Sequence, residues 1–157
     1  MAENEMYLPQ WVRNQGAGVL LITSKTGGGK STMLREIAQH CVEQGDAVSY
    51  YDLEASKLSF TTRADAKGTL TVEDGNDVQG VKVVLARTNK PCNVLIIDAV
   101  EVLTPPPTGR MKLVEAVTEL DKIAKERGSL VVIGKQLDRS GNLSAGWKFR
   151  SYRIDQE

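Results

Sequence analysis

The chain has one histidine and two cysteines among 157 residues. Cys41 and Cys92 stand alone with no metal-ligand spacing around either, and both thiols read as reduced packing residues. His40 falls off the apolar face of its segment and reads as a solvated surface residue with no chemistry. An excess of charge of either sign is also missing: Lys and Arg number 20, Asp and Glu 20. The chain therefore has no polyelectrolyte character, and any nucleic-acid contact must come from a local patch. No apolar run approaches the roughly 20 residues of a membrane span, and Met1-Ala2-Glu3-Asn4-Glu5 is too acidic for a signal peptide. These absences point to the cytoplasm or the interior of a virion, without a membrane. One domain over residues 1–157 is expected, an arm over 1–17 and a core over 18–157.

What is present centres on residues 18–32. Val19 to Ile22 reads as a buried strand, and Thr23-Ser24-Lys25-Thr26-Gly27-Gly28-Gly29-Lys30-Ser31-Thr32 carries it into a helix-patterned segment. Strand, glycine loop and helix in this order give the context that a phosphate-binding loop needs. Glycines let several backbone N–H groups converge on one anion, and the helix N-terminus adds partial positive charge. In this reading Lys25 to Thr32 bind the nucleotide, Lys30 reaches its β- and γ-phosphates, and the Ser31 hydroxyl ligates Mg²⁺. One departure is that Ser24 stands where the motif usually opens with glycine. The plainer alternative is a glycine-rich turn ahead of an amphipathic helix.

Downstream, Met33, Leu34, Ile37, Ala38, Cys41 and Val42 mark one helical face, with Gly45 at its end. Residues 46–53 read as a strand running into Tyr51-Asp52-Leu53-Glu54, acids at the strand end where α/β proteins bind ligands. Residues 58–77 read as a hairpin-like excursion or a loop, and Asp77 caps a helix holding Val78, Val81, Val84 and Leu85. Asn93-Val94-Leu95-Ile96-Ile97-Asp98 is an apolar strand ending in an acid, and after a phosphate loop it matches a Walker B element with Asp98 on Mg²⁺. A loop through Pro105-Pro106-Pro107 precedes a helix bearing Leu113, Val117, Leu120 and Ala124, stopped by Gly128. Leu130 to Ile133 is a further buried strand, and 147–154 a terminal strand or hairpin. Alternation of strands and helices predicts an α/β fold, a doubly wound, mainly parallel sheet with helices on both faces. The terminal strand or hairpin is the one element expected to run antiparallel.

Ser24 to Thr32, Tyr51 to Glu54, Ile96-Ile97-Asp98, Leu120 to Gly128 and Val131 to Arg139 follow one another in an order that resembles the RecA-like P-loop ATPases. The last two stretches are similar to those of hexameric replicative helicases and of double-stranded RNA phage packaging NTPases. The resemblance implies an ATP- or other NTP-hydrolysing motor core with Mg²⁺, assembled with copies of itself into a hexameric ring that acts on single-stranded RNA or DNA. It implies that Glu54 activates the attacking water and that Gln136 senses the γ-phosphate on a strand lying between those of the P-loop and of Asp98. It also implies a channel-facing segment from Arg139 to Trp147 and a cation supplied in trans, for which Arg150 stands ahead of Arg139. Glu101 rivals Glu54 for the catalytic acid. Arg110, Lys112, Arg139 and Lys148 are the basic residues that fit a nucleic-acid contact, or equally a solvated surface.

Other assignments compete. Lys25, five residues before Lys30, matches the signature lysine of partition and division-site ATPases, whose nucleotide-bridged dimers would leave Asp52 at a switch. A small-molecule P-loop kinase would need a lid and an acceptor pocket, neither of which is identifiable. A nucleotide-binding subunit without hydrolysis is the fourth.

Overall fold

The computed structural model describes residues 7–25, 29–53, 67–73, 75–103, 112–143 and 146–154. Its elements run α1 (Leu8–Arg13), β1 (Gly18–Ser24), α2 (Lys30–Glu43), β2 (Ala47–Asp52), β3 (Thr69–Val72) and α3 (Val78–Ala86). They continue with β4 (Val94–Asp98), a 3₁₀ turn (Val100–Val102), α4 (Leu113–Arg127), β5 (Leu130–Gln136) and β6 (Arg150–Arg153). The strands form one sheet in the order β3-β2-β4-β5-β1-β6. Every pairing is parallel.

Side chains alternate between the two faces of each strand. Leu20, Ile22, Tyr50, Ile96 and Val132 pack on one face against Leu34, Ile37, Ala38 and Cys41 of α2 and against Val12 of α1. Leu21, Tyr51, Leu95, Ile97 and Ile133 pack on the other against Val81 and Leu85 of α3 and Val117, Leu120 and Ala124 of α4. The sheet is thus covered on both sides, which explains why its central strands are apolar runs rather than alternating ones. The doubly wound α/β architecture is RecA-like, and β5 lies between β1 and β4 as expected.

Capping follows local chemistry. Asp77 accepts the Gln79 backbone N–H at 2.8 Å and starts α3, while Gly128 ends α4 with φ +72°.

Three local expectations are corrected, and the described part of the arm before Gly18 packs along the sheet edge. The terminal strand β6 is neither antiparallel nor a hairpin: it pairs parallel with β1, Leu20 opposite Arg150 and Thr23 opposite Arg153. The connection over 137–149 has the dozen or so residues that a parallel crossover needs. Thr69–Val72, within the stretch read as an excursion, is an edge strand parallel to β2. The residues before Gly18 form a helix whose Trp11 ring lies 5.2 Å from that of Tyr152 in β6, and Arg13 is tied to Asp46 at 2.8 Å. His40 is half-buried rather than solvated, its Nε2 2.7 Å from Gln10 Oε1 and its ring 5.4 Å from Tyr7.

Candidate active site

In a doubly wound sheet, ligands sit at the carboxyl ends of the strands, and the described residues of the expected phosphate loop flank that end of β1. Ser24 ends β1 and is buried; Lys25 is exposed just beyond it. Thr26, Gly27 and Gly28 lie outside the described residues. Gly29 precedes α2 with φ +81°, a conformation that disfavours any side chain, and a Cβ there would have open space around it. The positive φ by itself gives the backbone turn a reason for glycine at 29. Lys30 and Ser31 open the helix, half-buried, and Thr32 is exposed.

The strand ends bring the remaining residues to the same side. Asp52 and Asp98 are register partners across β2 and β4, as are Ser24 and Gln136 across β1 and β5. Each lies an even number of positions along its strand from Tyr50, Ile96, Ile22 or Val132, which face α2. Strand alternation thus directs Ser24, Asp52, Asp98 and Gln136 to the α2 face, where Lys30 and Ser31 begin. Lys30 itself lies over β5: a Cβ built on Gly134 would sit 3.0 Å from Lys30 Cε and 3.1 Å from its Cδ.

Asp98 is fully buried. The Tyr50 hydroxyl, also buried, donates to Asp98 Oδ2 at 3.4 Å. Burial, reinforced by the negative charges of Asp98 and Asp52, pushes the Tyr50 phenol well above its ordinary pKa, so it stays a donor. Tyr50 escapes a reading of the sequence because a tyrosine in a buried strand looks like core; its place opposite Ile96, two residues before Asp98, is the signal.

A divalent metal fits this donor set in kind. The Ser31 hydroxyl and the Asp98 carboxylate are hard oxygen donors of the sort Mg²⁺ takes when phosphate oxygens and water complete its octahedron. Among the described residues no group of three or more His, Cys, Asp or Glu forms an all-protein metal cage.

Two acids and two arginines sort differently. Glu54 lies outside the described residues. Glu101, in the 3₁₀ turn after β4, accepts the Gln136 backbone N–H at 3.0 Å and pairs with Lys135 Nζ at 3.1 Å. Lys135 also lies 5.1 Å from the centroid of the Trp147 ring, which packs on the α4 side of the sheet. The structure does not bring Arg150 to the site. Its guanidinium donates to the carbonyls of Gln15 (2.7 Å), Ala17 (3.1 Å), Gly16 and Val19 (both 3.4 Å), at the amino end of β1. That is the opposite end of the strand from the loop. Lys148 precedes β6, so it does not share a strand face with Arg150.

Beyond Gln136, Asp138 accepts from the N–H groups of Ser140 and Asn142, both at 2.9 Å, and closes a tight turn. Arg139 is exposed on that turn, and Arg153 donates to the Gly141 carbonyl at 3.4 Å. Arg110 lies outside the described residues, while Lys112 and Lys148 are exposed. Two clefts, of about 250 and 320 Å³, open at the amino ends of the strands around Asn93 and Gly128, away from these groups.

No protein family profile and no curated protein sequence matches the chain. Its fold does match solved structures. One is a DnaB-like replicative helicase, from a study of that helicase's interactions with primase. It superposes with a TM-score of 0.61 at 16% identity over 78% of this chain and 39% of the helicase. Another is the ATPase domain of a second protein, with a TM-score of 0.56 at 13% identity over 85% of this chain and 62% of that one. The chain thus spans well under half of the first and somewhat under two thirds of the second. At these identities the likeness establishes a shared RecA-like fold. No helix among the described residues is long and apolar enough to cross a membrane.

Proposed function

We propose that this chain is a Mg²⁺-dependent nucleoside triphosphatase, with ATP the expected substrate, and the motor core of a ring that moves along single-stranded RNA or DNA. The observation that carries the reading is the convergence of Lys30, Ser31, Asp98 and Gln136 at the carboxyl ends of β1, β4 and β5, on the face covered by α2.

Lys30 contributes a cation on a stem held along the sheet, suited to the β- and γ-phosphates. Ser31 and Asp98 are the residues that would hold Mg²⁺, which when bound neutralises charge on the phosphate oxygens. Tyr50 orients the Asp98 carboxylate through its hydroxyl. Glu54, two residues past Asp52, is the proposed base that takes a proton from the attacking water. The Gln136 amide ends β5 beside Ser24 and is suited to sensing the γ-phosphate. The cation supplied in trans is assigned to Arg139 rather than Arg150, since Arg139 is exposed at the loop end of the sheet and Arg150 is bound to its own chain. Lys112, Arg139 and Lys148 are the described cations proposed to meet a phosphodiester backbone.

The test is turnover and nucleotide binding by Lys30→Ala protein beside wild type. Hydrolysis should fall to background, because the charge that follows phosphate negativity into the transition state is gone. Wild-type turnover in that variant would overturn the assignment. Binding of single-stranded oligonucleotides should weaken steeply with salt, and its absence at low salt would remove the polymer from the proposal. A nucleotide-bridged dimer in place of a ring would favour the partition-type alternative.

A further inference from the structure

We infer that Gly134 is a positioning residue for Lys30: the missing side chain at 134 is the seat on which the lysine stem lies. This deepens the nucleotide reading above and rests on it.

Gly134 sits in the middle layer of the sheet, on β5, with Ile22 of β1 as its register partner. Its α-hydrogen on the α2 side occupies a place in that core face where a methyl cannot fit. A Cβ would approach Leu34 Cδ1 to 2.9 Å, Lys30 Cε to 3.0 Å and Lys30 Cδ to 3.1 Å. Ordinary carbon–carbon contact is about 3.5–4.0 Å, so each of these neighbours would have to move. Lys30 and Leu34 are four residues apart on α2 and project from the same helix face. Leu34 is fully buried, so it has little room to yield. The Lys30 stem ends in an ammonium that water can follow, and it is the part that gives way.

Backbone conformation does not explain the glycine. Gly134 is absent from the residues of positive φ, lies inside a regular parallel ladder, and a glycine there costs strand stability relative to a residue with a side chain. The close approach of Leu34 and Lys30 is the remaining structural reason for it, and of the two only Lys30 carries a group with a use at the site. The lysine path over Gly134 runs from the helix start on the β1 side across β5. With a methyl in the way the ammonium would stand higher above the sheet, displaced from the phosphate it is meant to contact. A displacement of about 1 Å at a group of this kind can cost on the order of 10²-fold in rate.

The experiment compares wild type, Gly134→Ala, Gly134→Ala/Leu34→Val, Lys30→Ala and Lys30→Ala/Gly134→Ala, using fluorescent ATP and ADP analogues with Mg²⁺ and single-turnover hydrolysis of ATP. Gly80→Ala, at a helical site where a Cβ meets nothing within 4 Å, is the control. Gly134→Ala should keep its affinity for the diphosphate, lose its preference for the triphosphate, and turn over at least about tenfold more slowly, in the range a misplaced catalytic group produces. Relieving Leu34 in the double variant should restore melting temperature but not turnover. In the Lys30→Ala background the Gly134 change should have no further effect on triphosphate affinity.

Recovery of turnover on trimming Leu34, or an undiminished effect of Gly134→Ala without Lys30, would overturn the inference, since the glycine would then serve packing alone. If wild type binds neither analogue, the nucleotide reading itself falls. The two failures are therefore distinct. A second readout needs no nucleotide: the ¹³C signal of reductively methylated Lys30 should move in Gly134→Ala and not in Gly80→Ala, and an unmoved signal would also overturn the inference.

Discussion

Glu101 and Lys135 form an ion pair, Oε2 to Nζ 3.1 Å, between the turn after β4 and the last residues of β5. The same carboxylate oxygen takes the Gln136 backbone N–H at 3.0 Å. A carboxylate that anchors the end of β5, with its cation turned to the Trp147 side of the sheet, has its charge already engaged. Glu101 thereby loses ground to Glu54 as the base. Glu101→Gln should lower the melting temperature slightly, consistent with a partly exposed pair worth roughly 1 kcal/mol or less, and reduce turnover only modestly. Glu54→Gln should bind nucleotide yet lose most hydrolysis. Single-turnover assays rank the two, and the opposite order would return the role to Glu101.

Arg150 is expected to matter for folding rather than for catalysis in trans. Its contacts with the Gln15, Gly16, Ala17 and Val19 carbonyls staple the edge strand β6 to the entry of β1. Arg150→Ala should cost about 1–2 kcal/mol, as hydrogen bonds to a charged donor do, measurable by urea denaturation. Rings mixed from Arg150→Ala and Lys30→Ala subunits should gain no activity, whereas mixing Arg139→Ala with Lys30→Ala should restore part of it. Complementation in the Arg150 mixture alone would move the finger back to that residue.

Gly80 lies inside α3 with nothing within 4 Å of a built Cβ and no positive φ. Alanine there removes an entropic penalty of about 0.5–1 kcal/mol. The melting temperature of Gly80→Ala should rise by about 1–4 °C. A fall would mean that α3 packs against a further surface in solution.

The pH dependence of stability should carry a His40 contribution. Burial lowers the His40 pKa from its ordinary 6.5, with Arg13 acting in the same sense and Glu43 and Asp46 against it. The unfolded chain then takes up a proton that the folded state resists, so stability is full above that ordinary value and is lost as pH falls through the folded one. Between about pH 8 and pH 5, a window spanning the histidine pKa, wild type should lose more stability than His40→Gln. Parallel curves from thermal melts would show that His40 is not the sensor.

Much of this molecule is determined by short-range pattern. Apolar runs such as Val94 to Ile97 and the 3.6-residue spacing of Leu113, Val117, Leu120 and Ala124 specify buried strands and covering helices, because burial is decided by local periodicity. Asp77 and Gly128 mark helix ends through their own chemistry. The order of the motifs, from Lys30 to Asp98 to Gln136, is likewise linear information. Tertiary structure decided what depends on pairing at a distance. Thr69–Val72 is too short and polar to declare itself and becomes a strand by hydrogen bonding to β2. β6 runs parallel because its connection crosses the sheet, which no residue within 150–153 encodes. Arg150, read along the chain, is one more basic residue; only the packed fold turns it toward the amino end of β1. Gly134 reads as a weak spot in a strand until α2 lays Lys30 across it, since a steric vacancy exists only relative to the group that fills it.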